Sequence, residues 1–103
     1  MVASDRKDSE GEIDKVIHEP ARLKIVAHLY VVESADLLFL QRQTGLTWGN
    51  LSSHTAKLEE AGYIDVVKEF VGKKPHTSLK LTERGRKAFV NYRRAMKQVL
   101  DVR

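Results

Sequence analysis

A short break between two helical patterns restricts this chain to few folds. Apolar residues 37–40 mark one short helix, which ends at Gly45, and Thr47 then opens a second helix that runs to about Ala61. Gly45 suits a left-handed helix end, and Thr47 suits an N-cap. Gly62 stops the second helix. Two helices joined by so few residues are typical of a helix-turn-helix.

The segment before this pair predicts two further helices. Ile13, Val16 and Ile17 recur at helical spacing and predict a short helix that breaks at Pro20. A longer helix follows over residues 21–32 and is apolar on most of its circumference. Such a helix lies either at the centre of the domain or against a second subunit.

The segment after the pair predicts a hairpin and a last helix. Residues 63–71 are rich in β-branched and aromatic types, residues 77–81 alternate in polarity, and residues 72–76 form a basic tip between them. Thr82 can cap the last helix, in which Gly85 marks a close backbone approach. The predicted fold is mainly α with a small β-hairpin, in the order of a winged helix-turn-helix.

Length and composition limit the chain to one domain and exclude several classes of protein. The 103 residues support a single core, and no apolar run reaches the roughly 18 to 20 residues that a membrane span needs. The polar N-terminus is unlike a signal peptide, so we expect a cytoplasmic protein without a membrane partner. Residues 1–12 carry six charges without a hydrophobic period and are expected to be a flexible arm, with the domain over residues 13–103.

The sequence lacks the residue patterns that indicate a catalytic or a metal site. The chain has no cysteine, and its four histidines show no metal-ligand spacing. A glycine-rich phosphate loop is also missing. We therefore expect a protein that is not an enzyme and that uses no metal and no cofactor.

The charge distribution points to an anionic partner. Residues 64–103 contain eleven basic and four acidic side chains. This excess is the footprint of a phosphate-binding face, although a solvated surface would look the same.

Three stretches carry a resemblance to a known family. They are VIHEPARLKIVAHL, GLTWGNLSSHTAKLEEAGYI and VGKKPHTSLKLTERGRKAF. In order and spacing they resemble the winged-helix transcriptional regulators related to the MarR and ArsR groups, in particular a small single-domain subfamily of prokaryotic regulators, over about residues 13–95. The resemblance implies that the helix starting at Thr47 enters the major groove, that the hairpin wing follows the backbone or minor groove, and that the terminal helices form a homodimer.

The helix that starts at Thr47, called the recognition helix below, has the side chains that reading DNA requires. Asn50 can pair bidentately with adenine, and Lys57 can reach a phosphate. A solvated helix face is the alternative interpretation, and Trp48 is expected to pack first and contact a base second, while His54 suits either role. The predicted DNA contacts here are Thr47, Trp48, Gly49, Asn50, Ser52, Ser53, His54 and Lys57.

Further basic side chains flank the recognition helix. Lys73, Lys74 and His76 belong to the predicted wing tip, and Arg42 ends the preceding helix. A charged loop is often only solvated, but cationic wings on this fold meet phosphate. These four residues are therefore the predicted backbone contacts.

The last helix predicts a second copy of the chain as a partner. Its apolar residues are spaced three, four and three, which is typical of a narrow helix–helix seam, and the apolar helix 21–32 adds a second uncovered stripe. The predicted dimer residues are Leu23, Tyr30, Phe89, Tyr92, Met96 and Val99.

These observations predict a homodimeric regulator that binds a specific, pseudo-palindromic double-stranded DNA operator. We expect a repressor, because the sequence shows no element for recruiting polymerase. Two other functions stay open, a winged helix used as a protein-interaction module and a non-specific, chromatin-like DNA binder. The operator, the regulated genes and any small-molecule effector are not visible in the sequence.

Overall fold

In the computed structural model, which describes residues 12–101, four helices pack with a three-stranded antiparallel sheet. This arrangement confirms the predicted winged helix-turn-helix. The predicted arm lies outside the described residues, apart from Glu12. The elements are α1 (Pro20–Val32), β1 (Ser34–Asp36), α2 (Leu37–Thr44), α3 (Trp48–Glu60), β2 (Ile64–Val71), β3 (Lys74–Leu81) and α4 (Glu83–Leu100).

Local side-chain and backbone hydrogen bonds set the ends of α2 and α3. The Thr47 hydroxyl caps α3 by accepting a hydrogen bond from the Asn50 N–H at 3.1 Å. Helix α2 ends at Gly45, which has a φ of 73°. Helix α3 ends in a Schellman motif, because the Tyr63 N–H donates to the Leu58 carbonyl at 3.0 Å across a left-handed Gly62. Both predicted glycine stops are confirmed.

Two elements differ from the sequence-based expectation. Residues 15–17 form a single turn rather than a helix. Asp14 Oδ1 caps this turn by accepting hydrogen bonds from the N–H groups of Val16 at 2.9 Å and Ile17 at 3.1 Å, but Pro20 has no N–H with which to continue it. The sheet also gains strand β1, which pairs with residues 78–80 of β3. A strand of three residues is too short to show an alternating pattern.

The hairpin is longer and its turn tighter than predicted. Only Gly72 and Lys73 form the turn, and Lys74, Pro75 and His76 belong to β3. Of the two turn residues only Gly72 has a positive φ, 67°, which is the pattern of a type II′ turn. Proline has no N–H to donate to a neighbouring strand. Pro75 is tolerated because β1 pairs only with residues 78–80, so the β1 side of β3 has no strand next to Pro75.

The core lies between the sheet and the helices, with α1 at its centre. Helix α1 contacts α2, α3, α4 and β3, so its central position accounts for the buried residues Ala21, Ile25, Val26 and Leu29, while Val31 is 78% exposed. No helix within residues 12–101 has the length and apolar character to cross a membrane. The largest fully buried side chains are Ile17, Ile25, Val26, Leu29, Leu40, Leu51, Leu58, Ile64 and Leu79.

Candidate nucleic-acid interface

Helix α3 is fixed to the body by one face and leaves the other in solvent. Leu51, Thr55 and Leu58 are buried, and the Thr55 hydroxyl donates to the Ser52 carbonyl at 3.0 Å, so the buried hydroxyl is satisfied. The solvent side holds seven of the eight predicted contacts of the recognition helix. These are Thr47, Trp48, Gly49, Asn50, Ser52, Ser53 and Lys57.

The turn before α3 is held by side-chain hydrogen bonds. Gln41 Nε2 donates to the Leu46 carbonyl at 3.0 Å, and the buried Thr44 hydroxyl donates to the Leu40 carbonyl at 2.7 Å. The Leu46 N–H in turn donates to Thr44 Oγ1 at 3.3 Å. These bonds fix the direction in which α3 leaves the turn, and they leave Arg42 exposed in the last turn of α2.

The packing role predicted for Trp48 is wrong. Its side chain is 51% exposed at the first position of α3. The helical wheel placed Trp48 near the apolar side, but at the first position of α3 about half of the side chain stays in solvent. The DNA contact assigned to Trp48 stays a prediction.

His54, on the inner side of the recognition helix, contacts Arg22 of α1. Arg22 Nη1 lies 3.2 Å from His54 Nδ1, and the same guanidinium donates from Nε to the Val16 carbonyl at 2.6 Å. Arg22 thereby links His54 of α3 to the segment that precedes α1. The structure therefore gives His54 the packing role, and its phosphate contact stays a prediction.

Glu19 completes this contact between α1 and α3. Its Oε1 accepts the Arg22 backbone N–H at 2.8 Å as the N-cap of α1 and lies 3.6 Å from His54 Nδ1. Burial acts to raise the pKa of Glu19, but the hydrogen bond from Arg22 and the nearby His54 and Arg22 lower that pKa overall. Sequence reasoning missed Glu19 and Arg22, because 32 residues separate Arg22 from His54.

A second contact fixes the far end of α3. The Tyr63 hydroxyl donates to Asp14 Oδ2, so the carboxylate that shapes the turn at residues 15–17 also holds the residue that follows Gly62. Burial, with the Asp14 hydrogen bond and negative charge, raises the pKa of Tyr63 to about 12. Helix α3 is therefore held at its middle, through His54, and just beyond its C-terminal end, through Tyr63.

The three predicted backbone contacts of the wing lie in different environments. Lys73 lies in the turn and Lys74 follows it, both exposed, as expected of phosphate contacts. His76 is not at the tip: it is half-buried in β3, with Nε2 3.8 Å from Asp36 Oδ2. Lys68 in β2 is exposed on the same hairpin. It belongs to the basic excess of residues 64–103, but its place in a β-type segment kept it out of the predicted contacts.

An open groove of about 790 Å³ runs between α1 and α4. Leu23, Tyr30 and Met96 line it and are half-buried. Phe89 and Tyr92 also line it, but only 8% and 5% of each is exposed.

The chain itself covers part of the predicted dimer seam. The rings of Tyr30 and Phe89 lie 4.9 Å apart, and the Tyr92 hydroxyl lies 2.9 Å from His18 Nδ1. Phe89 and Tyr92 are therefore largely covered within the single chain, and their dimer contact stays a prediction. The exposed apolar surface lies further along α4, at Val99 and Leu100.

Comparison with known proteins agrees with this geometry. A family model described as a winged helix DNA-binding domain matches residues 21–100. An uncharacterized protein of Methanocaldococcus jannaschii is 38% identical over 78 residues, which are 76% of this chain and 85% of that protein.

Solved structures share the fold. A transcriptional regulator homologue from Pyrococcus horikoshii OT3 superposes with a TM-score of 0.78 at 29% identity, over 84% of this chain and 85% of that one. The transcriptional repressor BigR from Xylella fastidiosa, at 24% identity and a TM-score of 0.64, covers 86% of this chain and 83% of its own. These similarities show that the fold is shared.

Proposed function

Because the chain belongs to the family of winged helix DNA-binding domains, we propose that it is a homodimeric transcriptional repressor that binds a specific double-stranded operator. The observation that carries this proposal is the solvent face of α3, where small polar side chains occupy the first two turns. Short side chains let a helix backbone approach base edges closely in the major groove. The N–H groups at the α3 N-terminus add an attraction for phosphate.

The groove between α1 and α4 supports the homodimer. An apolar groove with exposed apolar residues at its end can be covered by the same surface of a second copy. A two-fold dimer would present its two α3 helices to half-sites about 34 to 36 Å apart, one turn of DNA, and the operator would then be pseudo-palindromic. Bound to a promoter, such a dimer needs no further element to block transcription.

Asn50→Ala should weaken operator binding by about 1 to 3 kcal/mol per half-site, because it removes a bidentate contact to adenine. The melting temperature should stay nearly constant, since Asn50 is exposed. Titration of cognate and scrambled duplexes measures this, with Glu59→Ala, an exposed change at the far end of α3, as the control. An equal loss on both duplexes together with a lower melting temperature would make Asn50 a structural residue of the helix start.

Lys73→Ala combined with Lys74→Ala should weaken binding to all sequences alike and leave specificity intact. For each phosphate that the protein no longer neutralises, counted over both subunits, the slope of log K against log salt should decrease by about one. Binding titrations at several salt concentrations measure the slope, with Lys24→Ala on α1 as the control. An unchanged slope in the double variant would remove the wing lysines from the interface.

A further inference from the structure

The outer half of the wing carries apolar side chains in solvent. Phe70 is 73% exposed and Val71 is 61% exposed, both at the end of β2 next to the turn. Single exposed aliphatic residues are ordinary on a protein surface. Phe70 and Val71 project from opposite sides of the hairpin, so Phe70 is a separate aromatic ring exposed at the end of the projecting wing, where contact with a partner would cover it.

The register shows which side of the wing holds the phenyl ring. Phe70 pairs with Pro75, and side chains alternate along a strand, so Phe70 is on the same side as the buried residues Ile64 and Leu79. The ring therefore continues the helix-facing side of the sheet beyond the body of the domain. Helix α3 runs into β2 through Gly62 and contacts it, so the wing that carries the ring starts from the end of the recognition helix.

The wing is stiff enough to hold the ring in place. The two strands pair over their full eight residues, from Ile64 opposite Leu81 to Val71 opposite Lys74, and close through a two-residue turn. Pro75 opposite Phe70 has a fixed φ, which reduces backbone freedom at that pair. A preorganised hairpin loses little entropy on binding.

The charges around the ring fit an anionic partner. Lys68 is two residues before Phe70 and on its side, and Lys73 and Lys74 are at the turn. Glu69 points to the opposite side, where it pairs with His76. A protein partner would need only the apolar ring, whereas a ring with Lys68 on its own side and Lys73 at the turn suits a DNA groove lined by phosphates.

We propose that Phe70 is a specificity-determining residue that inserts as an apolar wedge at a base step in the minor groove beside the α3 contact. The inference rests on the proposed DNA-binding function. Apolar wedges of this kind partly unstack a step and bend the duplex. The wing would therefore favour flexible pyrimidine–purine steps, which unstack most easily, at a position that α3 does not read.

The test compares Phe70→Ala and Phe70→Leu with the wild-type protein on a duplex that the wild-type protein recovers from genomic DNA. Phe70→Ala should lose about tenfold in affinity per wing and reduce the bend measured by energy transfer between labelled duplex ends. The salt slope should not change, because no charge is removed. Phe70→Leu should keep most of the affinity and most of the bend, since leucine also serves as a wedge. Val31→Ala, 78% exposed on α1, is the matched control.

Equal affinity and equal bending for Phe70→Ala and wild type would overturn the inference. The proposed function would then stand, because both proteins still bind DNA, and the wing apex would be free for a protein partner. If the wild-type protein recovers no duplex, the proposed function fails, and the inference fails with it.

Discussion

Gly85→Ala should destabilise the domain by about 3 kcal/mol or more. A Cβ at this position would overlap the Tyr63 carbonyl oxygen and lie 2.8 Å from Leu81 Cδ1. The carbonyl is backbone and accepts the Thr82 N–H at 3.0 Å, so it cannot move without breaking the junction of β2 and α4. The roughly 1 kcal/mol that alanine gains in helix propensity does not offset such an overlap.

Thermal unfolding followed by circular dichroism measures this change, and a decrease of more than about 12 °C is expected for a domain of this size. Gly49→Ala is the matched control, because it is also a helical glycine but a Cβ there meets nothing within 4 Å. That variant should melt at or slightly above the wild-type temperature. Equal melting temperatures for the two variants would show that the α4 start does not pack against Tyr63 as described.

Met96→Glu combined with Leu100→Glu should convert the proposed dimer to monomers and lower operator affinity by at least about a hundredfold. Met96 and Leu100 line the groove between α1 and α4. Leu100 is 76% exposed, so its change acts on assembly, whereas Met96 is half-buried against the core and its change also lowers the melting temperature. A monomer binds one half-site and loses the effective concentration that links two sites. Tyr92 is unsuitable for this test, because it is buried within the single chain.

Sedimentation at micromolar concentration should give about twice the chain mass for the wild type and the single-chain mass for the double variant. Val31→Glu is the control, since Val31 is exposed on α1 but does not line the groove. A wild-type monomer that still binds its operator would refute the dimer and leave DNA binding in place.

Helix ends and turns were predictable because their chemistry is local. Thr47 and Thr82 accept N–H groups three residues ahead, and Gly45 and Gly62 adopt the left-handed conformation that favours glycine. The predicted close approach at Gly85 is also confirmed. Each of these predictions needs only the residue and its immediate neighbours.

Features that depend on distant partners were not predictable. Strand β1 exists because Ala35 pairs opposite Leu79, and His54 is held by Arg22. Phe89 is covered by Tyr30, so an apolar seam read from spacing overstates what remains for a second copy. A periodicity shows that a face is buried, but not by which part of the molecule.

The predictions for the candidate interface show the same difference between local features and features that depend on distant partners. The solvent side of α3 could be outlined from its helical period, because buried Leu51, Thr55 and Leu58 define the opposite side. The position of His76 could not, because it depends on strand pairing and on Asp36. A DNA contact predicted from side-chain type alone can therefore be assigned to a side of the wing only when the register of its strands is known.

Selection of genomic fragments by the purified protein, followed by titration, tests the proposed function most directly. We expect the recovered fragments to share a pseudo-palindrome with half-site centres about 10 to 10.5 base pairs apart, bound at least about a thousandfold more tightly than random DNA at physiological salt. Equal affinity for every sequence would indicate a chromatin-like binder. Absence of salt-dependent DNA binding would contradict the account and favour a protein-interaction module.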